Sequence, residues 1–295
     1  MNALVLYFAS GDSLYFGVAL LLLAIAASPY FKHHMVLRCR NIAAWVALAM
    51  IVMACPPFPW IIGVVFLGVF VWWFIGSNWT ATGRVWAKLR LITTSVLMVL
   101  LLAASAIEFF HRRMPEIVGT PSDHLVVIGD SISSGIGLHV PAWPLVMQQM
   151  TGVPVKNLAR AGADTIEAQS MAKEIGPEDR VLLVEIGGND MIAGVPPGEF
   201  GEALDALLSK VSAPGRTVVM FELPLLPNKM AYGYIQRRLS AKYGVWLIPK
   251  RFFVSVIGGA NATSDGLHLS DTGTRHMAVL MAHVLSPVLK LPADN

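Results

Sequence analysis

The stretch Leu125-Val126-Val127-Ile128-Gly129-Asp130-Ser131 indicates both the fold and a first candidate site of this 295-residue chain. Its first four residues are all apolar, with no alternation of apolar and polar side chains. Such a run predicts a strand, and a similar run, Val181-Leu182-Leu183-Val184, is typical of a central strand that is buried on both faces of a parallel sheet. In open α/β sheets, ligands bind beyond the carboxyl ends of the strands. We therefore expect Asp130 and Ser131 to lie at the functional edge of a sheet.

Further short apolar runs follow this first strand and alternate with segments of helical character. The predicted strands after 125–128 are 155–158, 181–186, 217–221 and 245–248. The predicted helices lie near 140–150, 165–175, 199–212, 229–242 and 272–286. Strands that alternate with helices of this length predict a three-layer α/β domain with a central parallel sheet. We expect one flavodoxin-like domain over residues 120–295.

Polar motifs come directly after predicted strands or before the last predicted helix. Ala159-Arg160-Ala161-Gly162 follows the second strand, and Gly187-Gly188-Asn189-Asp190 follows the third. Asp265-Gly266-Leu267-His268 precedes the last helix. Each motif alone is a weak signal, but their positions predict that several loops, distant in sequence, build one site.

Together with Gly129-Asp130-Ser131, these motifs resemble those of the SGNH (GDSL-like) hydrolases over residues 125–286. The resemblance implies a flavodoxin-like serine esterase with the catalytic triad Ser131, Asp265 and His268. It also implies an oxyanion hole formed by the backbone N–H groups of Ser131 and Gly162 and the side-chain amide of Asn189. The hydrophobic N-terminal half is not part of the family core.

The chemistry of these residue types agrees with that assignment. A serine hydroxyl becomes a useful nucleophile when a histidine accepts its proton, and an aspartate holds the histidine in the required tautomer. The G-x-S-x-G elbow of the α/β-hydrolases is absent, which separates this chain from that family. No cofactor and no metal are expected, because the sequence contains no zinc-binding HExxH, phosphate-binding loop or dinucleotide fingerprint.

The N-terminal half has the composition of a membrane region. The whole chain is 55% hydrophobic and only 14% charged, whereas soluble proteins average roughly 25% charged residues. Before residue 108 the only acidic residue is Asp12, and Cys39 and Cys55 are interpreted as unpaired thiols. We predict a transmembrane helical region over residues 1–112, with four spans at 13–31, 41–55, 59–76 and 91–107. A re-entrant or tilted hairpin over 41–76 is the alternative, because prolines interrupt this part of the chain.

The basic residues predict the orientation in the membrane. Two predicted loops carry them, and the residues are Lys32, Arg38, Arg40, Arg84, Lys88 and Arg90. The positive-inside rule places both loops in the cytoplasm, and hence the N-terminus and the catalytic domain on the extracytoplasmic (periplasmic) side of a plasma or inner membrane. Arg112 and Arg113 oppose this orientation but are outnumbered. The net charge of +3, without a long basic run, does not indicate a nucleic-acid partner.

The sequence therefore predicts a membrane-anchored esterase that acts on an acylated lipid or an O-acetylated surface glycan through an acyl-enzyme on Ser131. Protein partners cannot be inferred. Two alternatives stay open: an acyltransferase that passes the acyl group to a glycan hydroxyl, and a catalytically silent membrane protein that binds glycan or a partner. A second Gly-Asp-Ser motif, in the tetrapeptide Gly11-Asp12-Ser13-Leu14, opens a predicted span and precedes no strand. We interpret it as a coincidence.

Overall fold

The computed structural model describes residues 3–27, 34–79, 83–135 and 140–290, and these divide into two compact units. One unit consists of Met114–Pro224 and Tyr232–Asn295 with Met1–Leu6. The other consists of Tyr7–Arg113 and Leu225–Ala231. The first is called here the catalytic unit and the second the helical unit. Leu225–Ala231 lies in the part of the sequence that was predicted to belong to the catalytic domain.

The catalytic unit is built around a parallel five-stranded sheet in the order β2-β1-β3-β4-β5. The strands are β1 (Leu125–Gly129), β2 (Val155–Asn157), β3 (Val181–Glu185), β4 (Thr217–Phe221) and β5 (Trp246–Ile248). This order is that of the flavodoxin-like folds. Every residue of β1, β3 and β4 is buried, as the continuous apolar runs predict. The predicted fold class is confirmed.

Helices cover the two faces of this sheet. The helices that follow β1 in the chain are α6 (Ser131–Ser134), α7 (Trp143–Thr151), α8 (Thr165–Met171), α9 (Gly188–Ala193), α10 (Pro197–Val211), α11 (Met230–Tyr243), α12 (Lys250–Ile257) and α13 (Asp271–Leu285). A short 3₁₀ helix, Ala172–Glu174, continues α8. Trp143 of α7 and Met281 of α13 pack into the same core as Val127 and Leu183 of the sheet. Successive strand residues point to opposite faces, so Val126 and Leu182 face the other layer.

The N-terminal helices form most of the helical unit, although the residues of the first helix up to Leu6 belong to the catalytic unit. They are α1 (Ala3–Ala9), α2 (Ser13–Ala27), α3 (His34–Met53), α4 (Trp60–Asn78) and α5 (Arg84–His111). Among the described residues, α3, α4 and α5 are long and apolar enough to cross a membrane, and α1 with α2 would form a fourth span if that pair, bent by 81°, is one span. Small residues bring two of these helices close together, since a Cβ added to Gly17 would lie 2.8 Å from the carbonyl oxygen of Ala47.

The helix boundaries differ from the predicted spans at their charged ends. Helix α3 begins at His34 rather than at residue 41, and α5 covers Arg84–His111 rather than 91–107. The prediction began both spans directly after an arginine, Arg40 or Arg90, but arginine and lysine are good helix formers and can extend their charged groups away from an apolar surface. Helix α2 begins at Ser13 as expected, and residues 28–31 of the predicted span 13–31 lie outside the described residues. Helix α4 lies close to the predicted 59–76.

Candidate active site

The first candidate residue, Ser131, lies at the start of α6, two residues beyond the end of β1. Asp130 is the N-cap of this short helix, and one of its carboxylate oxygens accepts a hydrogen bond from the backbone N–H of Ile132 at 2.9 Å. The strand must end in glycine here: a Cβ on Gly129 would lie 2.7 Å from the Cβ of Ser133. The tight strand-to-helix turn therefore holds Ser131 in one orientation at the edge of the sheet.

His268 and Asp265 share a compact loop between α12 and α13. One oxygen of the Asp265 carboxylate, Oδ1, accepts hydrogen bonds from the backbone N–H groups of Leu267 at 2.9 Å and His268 at 2.8 Å. The other oxygen, Oδ2, lies 2.6 Å from Nδ1 of His268. Hydrogen bonds from the His268 ring, and then from the His268 and Leu267 backbone, lower the pKa of Asp265 far below its usual value. The carboxylate therefore stays charged while it holds the imidazole.

The imidazole of His268 connects this loop to the serine. Its second ring nitrogen, Nε2, lies 3.1 Å from Oγ of Ser131, although the two residues are 137 positions apart in the chain. Because Nδ1 faces a carboxylate, it carries the ring proton, and Nε2 is left as the acceptor toward the serine hydroxyl. The structure thus brings the predicted hydroxyl, imidazole and carboxylate into one continuous hydrogen-bonded chain.

The loops of Gly162 and Asn189 are joined to the serine loop. The side-chain nitrogen of Asn189 donates to the carbonyl oxygen of Ala163 at 2.9 Å and lies 3.4 Å from a carboxylate oxygen of Asp130. It therefore contacts both the residue after Gly162 and the residue before Ser131. Gly162 itself has a φ of +80°, a conformation that glycine adopts without the steric cost of a side chain. We expected glycine here to permit close approach to a substrate, and the structure adds this turn geometry as a reason.

A buried pair of carboxyl groups lies behind the serine loop, and the sequence analysis did not assign it a role. Glu185, the last residue of β3, accepts a hydrogen bond from the hydroxyl of Ser133 at 3.0 Å. It also accepts a long hydrogen bond from the backbone N–H of Asp130 at 3.4 Å, and the two carboxyl groups are near enough for each to affect the pKa of the other. Burial, and then the nearby Asp130 charge, raises the pKa of Glu185 well above its usual range. Burial likewise raises the pKa of Asp130, so both directions favour a proton held within the pair.

The same buried network extends to α7, where the indole N–H of Trp143 donates to the hydroxyl of Ser133 at 3.2 Å. The helix that begins with Ser131 is therefore fixed by Asp130, Glu185 and Trp143 together. The only sequence signal for this network is a glutamate at the end of an otherwise apolar strand. Buried polar groups need partners, so that position alone predicts a hydrogen-bonded carboxyl group but does not identify its partner.

Two further aspartates have structural contacts. Asp190 accepts hydrogen bonds from the backbone and the hydroxyl of Thr165, both at 3.0 Å, which connects α9 to the start of α8. Burial raises the pKa of Asp190. Asp164 is the N-cap of α8 and forms a capping box with Glu167, as the sequence predicted for a helix start. Among the described residues, no group of three or more His, Cys, Asp or Glu side chains could hold a metal ion.

Comparison with known proteins identifies the family. The model of the GDSL-like Lipase/Acylhydrolase family matches residues 127–276, which is half of the chain. The chain belongs to the GDSL-like lipase/acylhydrolase family. It is therefore a serine hydrolase that acts on ester bonds, and the predicted family and enzyme class are confirmed.

Curated relatives of this family share about a quarter of their residues with the chain. Esterase TesA of Pseudomonas aeruginosa is 26% identical over 159 residues, which cover 49% of this chain and 78% of the relative. Thioesterase 1/protease 1/lysophospholipase L1 of Escherichia coli K12 is 26% identical over 180 residues, covering 57% of this chain and 86% of the relative. The helices before residue 114 therefore come in addition to the family domain.

Two solved structures agree with the fold of the catalytic unit. The match to a crystal structure of TesA covers 56% of this chain and 99% of the TesA chain, with a TM-score of 0.50 and 24% sequence identity. The psychrotrophic esterase EstA from Pseudoalteromonas sp., inhibited by monoethylphosphonate, covers 56% of this chain and 97% of its own, with a TM-score of 0.50 at 18% identity.

Proposed function

We propose that the chain is a membrane-anchored esterase that uses Ser131, His268 and Asp265 as its catalytic triad. The observation that carries this proposal is the continuous chain from Oγ of Ser131 to Nε2 of His268 at 3.1 Å and from Nδ1 of His268 to Asp265 at 2.6 Å. A hydroxyl, a base and a group that orients the base are the components of nucleophilic acyl transfer.

The reaction proceeds in two steps that this arrangement can support. Nε2 of His268 takes the hydroxyl proton as Oγ of Ser131 bonds to the ester carbonyl carbon, and the resulting imidazolium is stabilised by Asp265. His268 then gives the proton to the leaving alkoxide as the carbon–oxygen bond breaks, which leaves an acyl group on Ser131. Water, deprotonated by the same imidazole, attacks this acyl-enzyme. The acid leaves, and Ser131 regains its proton.

The carbonyl oxygen becomes negatively charged in each step and needs fixed donors. We assign this role to the backbone N–H groups of Ser131 and Gly162 and to the side-chain amide of Asn189. The 3.4 Å separation between Asn189 Nδ2 and Asp130 is long for a hydrogen bond. The amide hydrogen on that side is therefore weakly held, and a substrate oxygen can accept it while the other hydrogen stays on Ala163.

Replacing Asn189 with alanine should lower kcat by roughly 10²–10³-fold, the usual effect of removing one oxyanion donor. The bond to Ala163 is also lost, so a matched control is needed. Asn157→Ala provides it, because Asn157 donates to the backbone carbonyl of Ser133 at 2.8 Å and has no proposed role in the reaction. We expect the control to lose thermal stability but to keep most of its kcat, measured on a p-nitrophenyl ester. Equal kcat losses in the two variants would remove Asn189 from the oxyanion hole.

We propose that the substrate is an acylated lipid or an O-acetylated surface glycan at the membrane. The apolar helices support a membrane location for the enzyme. The name of the Escherichia coli relative includes lysophospholipase, which favours a lipid ester. To test hydrolysis, the products of the purified full-length enzyme are analysed in reactions with and without a glycan acceptor. We expect free acid in both reactions. Acyl transfer to the acceptor with little free acid would identify an acyltransferase instead.

The catalytic unit is proposed to lie on the extracytoplasmic side. The basic residues near the starts of α3 and α5 support this orientation, because such residues are concentrated in cytoplasmic segments. A fluorescent protein that folds only in the cytoplasm, fused after Met114, should therefore stay dark, whereas alkaline phosphatase at the same point should be active. A bright fluorescent fusion with inactive phosphatase would reverse the orientation.

A further inference from the structure

Glu185 is a buried carboxyl group beside the strand that leads to Ser131. In the parallel pairing of β1 with β3 it stands opposite Gly129, and a Cβ on that glycine would lie 3.1 Å from its Oε2 atom. Gly129 therefore leaves the space that the Glu185 carboxyl group needs. Only 6% of Glu185 is exposed, and no step of the proposed reaction uses it.

One oxygen of Glu185 contacts the chain on both sides of the nucleophile. Oε2 accepts a hydrogen bond from the hydroxyl of Ser133 at 3.0 Å and a longer one from the backbone N–H of Asp130 at 3.4 Å. The Ser133 oxygen in turn accepts the indole N–H of Trp143. These contacts hold the residue before Ser131 and the second residue after it. A change at Glu185 would therefore move the nucleophile.

Two carboxyl groups share this buried place without a cation. In the part of the chain that the structure describes, neither Glu185 nor Asp130 forms an ion pair with a lysine or an arginine; their hydrogen-bond donors are backbone N–H groups, the hydroxyl of Ser133 and the amide of Asn189. Two neighbouring buried carboxylates repel each other, and one proton between them removes that repulsion. The raised pKa of Glu185, caused by burial and then by the Asp130 charge, agrees with this state.

We propose that Glu185 is a positioning residue that holds the loop of Ser131 as a neutral carboxyl group, with its proton directed to the carboxylate of Asp130. This inference rests on the proposed function of Ser131. In the protonated state the pair carries one negative charge, and Oε2 accepts from Ser133. Loss of the proton would place two negative charges side by side, and their repulsion would displace the nucleophile. The reaction therefore requires the protonated pair.

Two variants separate a neutral hydrogen-bonding group from one that only fills space. In Glu185→Gln the oxygen can accept from Ser133, and the NH₂ group replaces the carboxyl proton toward Asp130. Its kcat on a p-nitrophenyl ester at neutral pH should stay within roughly threefold of the wild type, since one hydrogen bond between neutral groups contributes modestly. Glu185→Leu offers no acceptor, and its kcat should fall on the order of 10²-fold at unchanged KM, the effect of a small misplacement of the reacting group. Equal losses in the two variants, or full kcat in Glu185→Leu, would overturn the proposal.

The dependence of kcat on pH distinguishes a neutral carboxyl group from an ionised one. Wild-type kcat should fall in alkaline solution, above the pH at which the pair loses its proton. Glu185→Gln has no such proton and should not show this fall. The other titratable groups that act on the pair, His268 and Asp190, are the same in both proteins. Identical pH profiles for the two proteins would contradict a proton on Glu185.

Thermal unfolding of the full-length enzyme tests the proton without catalysis. In the unfolded chain the pKa of Glu185 returns to its lower ordinary value, so folding takes up a proton, and stability falls as the pH rises between the two values. From about pH 5 to about pH 9 the melting temperature of Glu185→Gln should therefore rise relative to the wild type, which corresponds to at most about tenfold in the folding equilibrium per pH unit. A constant difference, or one of opposite sign, would overturn the proposal. Ester hydrolysis that survives Ser131→Ala would instead refute the proposed function.

Glu222 provides the matched control, because it is a buried glutamate directly after β4, the strand next to β3. Unlike Glu185 it has a cationic partner: its carboxylate accepts from Nε of Arg237 at 2.7 Å. Removing one charge of a buried ion pair is strongly destabilising, so Glu222→Gln should lower the melting temperature throughout the same pH range. An equal decrease in Glu185→Gln at neutral pH would show that Glu185 is ionised, and the proposal would fail.

Discussion

Ser131→Ala should lower kcat/KM for a p-nitrophenyl ester by about four orders of magnitude or more, because the nucleophile and one end of the hydrogen-bonded chain are lost together. We expect the reaction rate to fall and the fold to be kept, since within the described part of the chain the hydroxyl makes a single hydrogen bond, to Nε2 of His268. Ser131 is at the margin of burial, with a relative exposure of 9%, and alanine fits in its place. We therefore expect the melting temperature to change little. A fluorophosphonate probe should label the wild type and leave the variant unlabelled.

The chain contains its own control for this experiment. Ser13 stands in the same Gly-Asp-Ser-Leu context as a family nucleophile, but its hydroxyl donates to the carbonyl oxygen of Met50 at 3.0 Å, between α2 and α3. Ser13→Ala should keep the activity and the probe labelling of the wild type. If probe labelling persists in Ser131→Ala and disappears in Ser13→Ala, the nucleophile is Ser13, and the proposed site is refuted.

Asp265→Asn should lower kcat by about 10⁴-fold, because the amide reverses the hydrogen bond that sets the histidine tautomer. The asparagine oxygen can still accept the backbone N–H groups of Leu267 and His268, which lie at 2.9 Å and 2.8 Å in the wild type. The NH₂ group then faces Nδ1 of His268 and donates to it. Nε2 would carry the proton and could no longer accept the one from Ser131.

Asp271→Asn is the matched control, because it makes the same change of charge near the start of α13. Asp271 pairs with Arg275 at 3.1 Å on an exposed face, where a single ion pair contributes little to stability. We expect this control to retain its kcat. The KM values of both variants should stay close to that of the wild type, since neither side chain has a proposed contact with bound ester. Wild-type kcat in Asp265→Asn would exclude Asp265 from the triad.

The strands were the most predictable elements of the fold. The run Thr217–Phe221 forms β4 with the predicted boundaries, because a strand buried on both faces is apolar along its whole length. The short helices α6, α9 and α12 were not predicted. A helix of one or two turns has too few residues to show a 3.6-residue period. The bend between α1 and α2 also has no clear signal beyond Gly11, whose φ is +79°.

The candidate site was predictable at the level of loops. Polar residues directly after apolar strands mark the functional edge of a parallel sheet, so the loops that carry Ser131, Gly162 and Asn189 were expected to meet, and the contacts of Asn189 with Asp130 and Ala163 join them. The hydrogen-bond partners of Glu185 were not predictable. A buried carboxyl group needs a partner, but the sequence around it does not indicate which residue that partner is. The position of Leu225–Ala231 in the helical unit was equally unpredictable from its own composition.

The amino-acid sequence by itself determined the secondary-structure elements of this protein and the polar motifs at the strand ends. Apolar runs become buried strands, and the hydrophobic N-terminal half becomes long helices. These are local properties, set by the periodicity of side chains along a short stretch of backbone. Only the tertiary structure decided which side chains meet. It placed the imidazole of His268 at 3.1 Å from the hydroxyl of Ser131, paired Asp130 with Glu185, and packed Leu225–Ala231 beside a cavity among the helices. Such contacts depend on strand order and packing, which bring together residues that are far apart in the sequence and share no local pattern.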